Sequence, residues 1–444
     1  MAEPSANTQE LPRVLTLRDA TMLVVSSVIG VGIFLTPGDV AKEFPSAGWF
    51  FFAWLLGGAL ALAGALANAE LGAMFPKAGG NYVYLTAAYH PIAGFMVGWL
   101  SFFAIFAGTV ATLAIGFTLS LSSLVPLAPV AKIVVAIAVI WVAAAVNAYA
   151  TKAGAALNTS TAYLKIGALV FLVLLGPILG GDRASAEPLT SEGSASFASF
   201  GVGIAPVLFS YLGWNASVYV AGEIESPGKN LPRSLFVGLG ICTLIYVLVT
   251  ATYVYALGMQ SLPGMPVAGI QAGHVLFGAR GGPILAVIMM ASIFGTVNAN
   301  VLVGPRIAYA MATDGLFFRA AATLNQAKTP HVAVIGQAVV ATILAVAFEA
   351  NIDSLGKVLN YTTFAIVLAT IADTTALYVL RARQPHRERP YRARGYPVVP
   401  LLYILANVAI AISMARSKPV ECLTSVAVLL AGAPIYLLFT LRRA

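Results

Sequence analysis

Four places in this chain put unusual residue types where they can do chemistry. Gly30 and Gly32 sit near the middle of the apolar run TMLVVSSVIGVGIFLTPGDVAKEF, and Pro37 follows them. Pro206 and Gly213 hold comparable places in GVGIAPVLFSYLGWNASVYVAGE, residues 201–223. Lys165 lies inside YLKIGALVFLVLL, and Asp373 lies eight residues before Arg381. Glycine costs about 1 kcal/mol against alanine inside a helix, so a glycine pair in an apolar run marks close packing or a break. A break in hydrocarbon strands N–H and C=O groups at several kcal/mol each unless protein, water or a ligand satisfies them. The half-helix after a break offers amide donors and partial positive charge; the half-helix before it offers carbonyls. Together these groups suit a small zwitterion. The competing reading is small-residue packing with both helices unbroken.

The elements that must carry these residues follow from composition. Hydrophobic residues make up 59% of the 444, and only 9% are charged, against about 25% in a soluble domain. Mean hydropathy is +0.88. These values exclude a soluble globular enzyme, a disordered chain and a nucleic-acid binder, despite a net charge of +8. The apolar runs are long and continuous, which excludes the roughly 10-residue alternating segments of a β-barrel. The chain reads as an all-α integral membrane protein. About twelve spans are expected, at roughly 20–45, 48–73, 92–123, 130–149, 156–180, 200–223, 234–258, 282–312, 332–348, 355–380, 398–415 and 421–441. Twelve spans of about 22 residues use roughly 264 residues, close to the hydrophobic total.

Lysine and arginine orient the spans. With the N-terminus inside, inside segments carry sixteen of the 25 basic residues and outside segments seven; Lys165 and Arg306 fall within spans. Both termini are therefore expected in the cytoplasm. The bias is strongest in RARQPHRERPYRARGYP, residues 381–397, a short basic loop facing anionic lipid. Residues 1–17 read as a cytoplasmic tail. Residues 181–199 read as an extracellular linker between two five-span halves, 18–180 and 200–380, with 398–444 forming the last two spans and a short cytoplasmic end. Matching Gly/Pro-interrupted spans in two halves point to a secondary-transporter binding site.

Single residues divide less cleanly. Cys242 and Cys422 have no motif partner, and the four histidines lie far apart, so no metal site and no cofactor is expected. Lys165 must pair, snorkel or lose its proton. Tyr246 reads as core packing, Trp214 likewise, and Asn215 either as an interhelical hydrogen bond or as a binding group. Asn298 and Asn300 can line a pathway. Glu70, Glu223 and Glu225 end spans and read as partners of nearby basic residues. Asp373 is about 12 Å along a helix from Arg381 and must be paired or water-facing. No intramembrane carboxylate is evident beside the glycine breaks, which argues against proton coupling and against cationic substrates. The space left by Gly213 and Ala216 is expected to admit a small or medium side chain.

Four stretches resemble the amino acid–polyamine–organocation superfamily, its L-type amino acid transporter branch above all. They are SVIGVGIF at 27–34, AELGAMFPKAGGNYVYL at 69–85, FSYLGWNASVYVAGEIESPGKNLPRSL at 209–235 and RPYRARGYPVVPLLYI at 389–404; GPRIAYAMATDGLFF at 304–318 is a weaker match. The GWN triplet at 213–215 favours the L-type branch. The resemblance implies a LeuT-like fold, with two inverted five-helix repeats plus two C-terminal helices, and alternating access about the broken first and sixth spans. It implies that a substrate carboxylate meets amides at Gly30, Val31 and Gly32. The ammonium would meet carbonyls near Val28 and Ile29, and others at Phe209, Ser210 and Tyr211, with Phe209 as a gate and Asn215 beside the substrate. Lys165 would stand in for a sodium ion and be bridged to the substrate region by Tyr246. Many relatives have serine where this chain has Val31, so a backbone contact there survives and a hydroxyl contact does not.

The resulting expectation is a plasma (inner) membrane transporter of neutral L-amino acids, sodium-independent and working by exchange. A proton-coupled amino acid permease or a polyamine/organocation permease is the alternative. An ion channel would show a pore ring or filter and a membrane enzyme a cluster of reactive side chains; neither is visible. Animal L-type relatives join an ancillary glycoprotein through a cysteine after the third span. SLVPLAPVAK, 123–132, has none, so no disulfide-linked subunit is expected; the partners are a small amino acid and membrane lipid.

Overall fold

The computed structural model describes residues 11–180, 197–347 and 352–441. Among them the secondary structure is helical, apart from one isolated bridge between Leu15 and Ile224. Ten helical segments are long and apolar enough to cross a membrane: Leu17–Leu35, Ala47–Met74, Pro91–Ser122, Pro129–Tyr149, Thr151–Gly180, Pro227–Leu257, Ala268–Thr313, Asn360–Arg383, Val398–Ser417 and Pro419–Leu441. The expected sixth and ninth spans hold shorter helices, Phe197–Ser210 followed by Ala216–Tyr219, and His331–Ala347. The linker read at 181–199 falls largely outside the described residues.

Local chemistry sets several helix starts. Thr16 caps Leu17–Val28, and Asp19 returns the bond to the Thr16 amide at 3.1 Å, which satisfies two otherwise orphan donors. Ser46 caps Ala47–Met74. Pro129 and Pro227 sit in first turns, where their missing N–H is harmless. Within the Pro91–Ser122 span, Ser101–Phe106 widens into a π-type turn, a feature concentrated at functional sites.

Helix Leu17–Val28 lies at the centre, packed on Pro227–Leu257, Thr151–Gly180 and Gly281–Val303. The Thr151–Gly180 helix shows how side chains choose their faces. Leu164 is 58% exposed towards the lipid side, whereas its neighbour Lys165 is 1% exposed and turned into the bundle. Lys165 therefore does not snorkel.

Buried acids fasten the end of the bundle that carries residues 381–397. Glu70 receives Arg381 at 2.5 Å, Arg389 at 3.1 Å and the Ala393 amide at 2.6 Å. Glu223 receives Arg306 at 2.7 and 3.1 Å, and Arg306 also reaches Thr151. The partnering expected for Glu70 and Glu223 is observed; Glu225 is exposed.

Candidate functional site

Helix Leu17–Val28 stops at Ile29, and helix Gly32–Leu35 resumes the direction of the chain. Between them the amides of Val31, Gly32 and Ile33 donate to no backbone carbonyl. The carbonyls before the break are already engaged. The Ile29 carbonyl receives Lys165 Nζ at 2.8 Å, Ser292 Oγ at 3.1 Å and Thr296 Oγ1 at 3.2 Å. The Ser26 carbonyl receives Lys165 at 2.8 Å and Thr296 at 2.9 Å. Lys165 Nζ also lies 2.8 Å from Thr296 Oγ1 and 3.2 Å from Ser26 Oγ. An ammonium has three donors, so this all-oxygen shell satisfies it completely.

The sixth span breaks at matching depth. Helix Phe197–Ser210 ends, and Ala216–Tyr219 begins after a turn in which the amides of Gly213, Trp214 and Asn215 donate to no backbone carbonyl. Tyr246 ties the two breaks together. Its hydroxyl lies 2.7 Å from the Val28 carbonyl and 2.7 Å from the Ser210 carbonyl. A phenol has one proton, so it donates to one of these at a time. The bridge expected between Lys165 and Tyr246 does not form. The two side chains serve different carbonyls of the same break, because Ser26 and Ile29 face one side of the chain and Val28 the other.

The glycines make this approach possible in a reciprocal way. A methyl group on Gly32 would lie 2.7 Å from Ser210 Cα and Oγ, and one on Gly213 would lie 2.8 Å from the Ser27 carbonyl. Gly213 also has φ +94°, in the left-handed region that side chains avoid. Each span's glycine thus seats the other span's broken backbone. The space expected at Gly213 and Ala216 is found at Gly213, which borders the cavity with Ser27 beside it, and not at Ala216, which is buried off the cavity wall.

Both breaks open onto one cavity of about 90 Å³. Of the residues singled out by sequence, Val28, Gly30, Val31, Gly32, Phe209, Ser210, Gly213 and Asn215 line it. Ile29, Tyr211, Tyr246 and Lys165 do not; Ile29 turns its carbonyl to Lys165, and Tyr211 sends its hydroxyl 3.1 Å to the Trp54 carbonyl. Asn300 lines the cavity, while Asn298 is buried against Asn147 and the Gly154 carbonyl. Asp373 also lines it. The expectation that no carboxylate stands at the site is therefore corrected: helix Ile352–Arg383 turns this residue inward. Sequence reasoning also missed Thr296, Ser292, Thr112, Thr362, Thr370 and Tyr219. One signal was present for the first two, because Ser292, Thr296 and Asn300 recur every four residues and so share a helix face.

Residues 15–436 match the amino acid permease family. The chain is 30% identical over 431 residues to the serine/threonine exchanger SteT of Bacillus subtilis (strain 168), covering 96% of each chain. It is 27% identical over 445 residues to the human large neutral amino acids transporter small subunit 2, covering 96% of this chain and 80% of that one. It is likewise 27% identical over 445 residues to the human b(0,+)-type amino acid transporter 1, covering 97% and 89%.

Proposed function

Since this chain belongs to the amino acid permease family, within the L-type branch of the amino acid–polyamine–organocation superfamily, we propose that it exchanges neutral L-amino acids across the membrane by alternating access. It is a multi-pass membrane transporter rather than an enzyme. The observation that carries the reading is the single cavity shared by two broken helices whose amides are open. The Val31, Gly32 and Ile33 amides suit a substrate carboxylate, with Gly30 at the mouth of the turn. The substrate ammonium goes to the sixth-span side, near the carbonyls of Phe209, Ser210 and Tyr211, and to Val28, because the Ile29 carbonyl is saturated. Phe209 closes over the bound molecule and Asn215 lies beside it. The cavity is smaller than the roughly 150 Å³ that holds benzene, which favours small substrates such as serine, threonine or alanine.

Lys165 makes the exchange independent of sodium. Its ammonium sits among carbonyl and hydroxyl oxygens as a monovalent cation would, and no carboxylate joins the shell. The repeats are 18–180 and 200–380, inverted with respect to each other in a LeuT-like arrangement, followed by 398–444. The matching breaks support this division. The charge bias supports cytoplasmic termini and a cytoplasmic 381–397 loop in the plasma (inner) membrane. With no cysteine in 123–132, no disulfide-linked ancillary subunit is needed.

Counterflow tests the reading. Proteoliposomes holding unlabelled serine are expected to take up external labelled serine, while empty vesicles do not. Replacing sodium with choline should leave the rate unchanged. Uptake into empty vesicles, or collapse in choline, would contradict exchange or sodium independence respectively.

A further inference from the structure

Every other buried carboxylate among the described residues is held by arginine, but Asp373 is not. It is 2% exposed, lines the cavity, and its Oδ1 has no hydrogen-bond partner. The ion pairs among the described residues are those of Glu70 and Glu223. The arginines further along its own helix are committed elsewhere: Arg381 to Glu70 and Arg383 to the Ala88 carbonyl at 2.9 Å.

The elements packed around helix Ile352–Arg383 supply no counter-charge either. Helices Ser101–Phe106 and Ala107–Ser122 carry no titratable residue. The neighbouring elements carry Tyr84 and Tyr89, from the segment beginning at Asn81, Tyr219 from the sixth span and Tyr403 from Val398–Ser417. These are phenols. Tyr89 faces the Ala372 carbonyl at 3.5 Å, and Tyr219 receives Asn215 at 3.5 Å. Glu70, on Ala47–Met74, is neutralised by its two arginines. Glu421 is remote, because Ser425 one turn later bonds the Tyr361 carbonyl, twelve residues before Asp373. Tyr436 packs on Phe95.

An ionised carboxylate without a partner in a dry interior is costly enough that it takes a proton or a cation. We propose that Asp373 is a charge-accepting subsite of the transport cavity, taking one positive charge per cycle either as a proton or as the ammonium on a short cationic side chain. Thr112, Thr362 and Thr370 line the same cavity as the glycine breaks and Asp373. When the substrate is neutral, the carboxyl is protonated where that substrate binds and can release the proton to water on the other side. When a cationic side chain enters, the ammonium pairs with the carboxylate and the proton leaves to water, so net charge in the cavity is unchanged. The inference rests on the breaks binding the amino acid backbone, as proposed above.

The test uses proteoliposomes of the full chain with pyranine inside, labelled L-serine and labelled L-2,4-diaminobutyrate. Serine accumulation driven by an inward proton gradient assigns the charge to a proton. Diaminobutyrate uptake that serine displaces assigns it to the substrate; proton movement opposite to diaminobutyrate–serine exchange shows both. Asp373→Asn is expected to lower the ratio of diaminobutyrate to serine uptake by about thirtyfold or more and to abolish the proton signal. Asp373→Glu should retain whichever signal the wild type shows. Serine counterflow with neither diaminobutyrate uptake nor proton movement would overturn the proposal and leave exchange standing, as would an Asp373→Asn protein that keeps the wild-type ratio and proton signal. A surviving diaminobutyrate–proton signal without serine counterflow would instead fail the neutral-exchange reading alone.

Discussion

Lys165 and Asp373 are two lone ionisable groups buried in one bundle, and their surroundings are opposites. Lys165 is off the cavity wall and meets four oxygens between 2.8 and 3.2 Å. Asp373 is on the cavity wall with an oxygen that meets nothing. A buried charge with all its partners in place is part of the scaffold, since removing it strands the groups it satisfied. A buried charge with no partner has its partner still to come. Depth in the membrane therefore says less about a charged residue's role than whether its hydrogen-bonding capacity is already filled.

The sharpest way to break this contrast is Lys165→Met. It removes the charged donor that the Ser26 and Ile29 carbonyls share and leaves them the neutral hydroxyls of Thr296 and Ser292, at about 1.5–3 kcal/mol. Serine counterflow is expected to fall about 100-fold, with a clear loss of thermal stability in detergent; an undisturbed melting curve would show that the shell is not structural. Gly32→Ala and Gly213→Ala force the spans apart, at about 1–3 kcal/mol of overpacking. Each should reduce counterflow about tenfold or more. Gly240→Ala is the control, because nothing lies within 4 Å of the added methyl, and it should transport normally. Tyr246→Phe removes the single proton shared between the breaks, worth about 0.5–1.5 kcal/mol, and should slow counterflow roughly three- to tenfold. The smallest effect concerns stability of Asp373→Asn. No resting partner is lost, so its melting temperature should match or slightly exceed that of the wild type, opposite in sign to Lys165→Met.

The bundle was legible because long apolar runs have few ways to satisfy their backbone, and the breaks because glycine and proline at matching depth have few reasons to be there. The depth of Lys165 and Asp373 could likewise be read by counting. Their surroundings could not. Lys165 is satisfied by Thr296 and by two carbonyls on another helix, and carbonyls leave no mark on a sequence. Asp373 looked unrelated to the glycines 160 or more positions away, and helical rotation, which sequence spacing alone does not fix, put it on their cavity. Gly213 was identifiable as special, but the group that needs its missing side chain, Ser27, belongs to the other break. The π-type turn at Ser101–Phe106, which brings Ile105 and Phe106 to the cavity, follows from no residue type in SFFAIF.

The most direct measurement is an experimental structure with serine bound. Carboxylate density within about 3 Å of the Val31, Gly32 and Ile33 amides, between two interrupted helices, is the expected result. Density for serine elsewhere, or helical hydrogen bonds running unbroken through Ile29–Gly32 and Tyr211–Asn215, would contradict it.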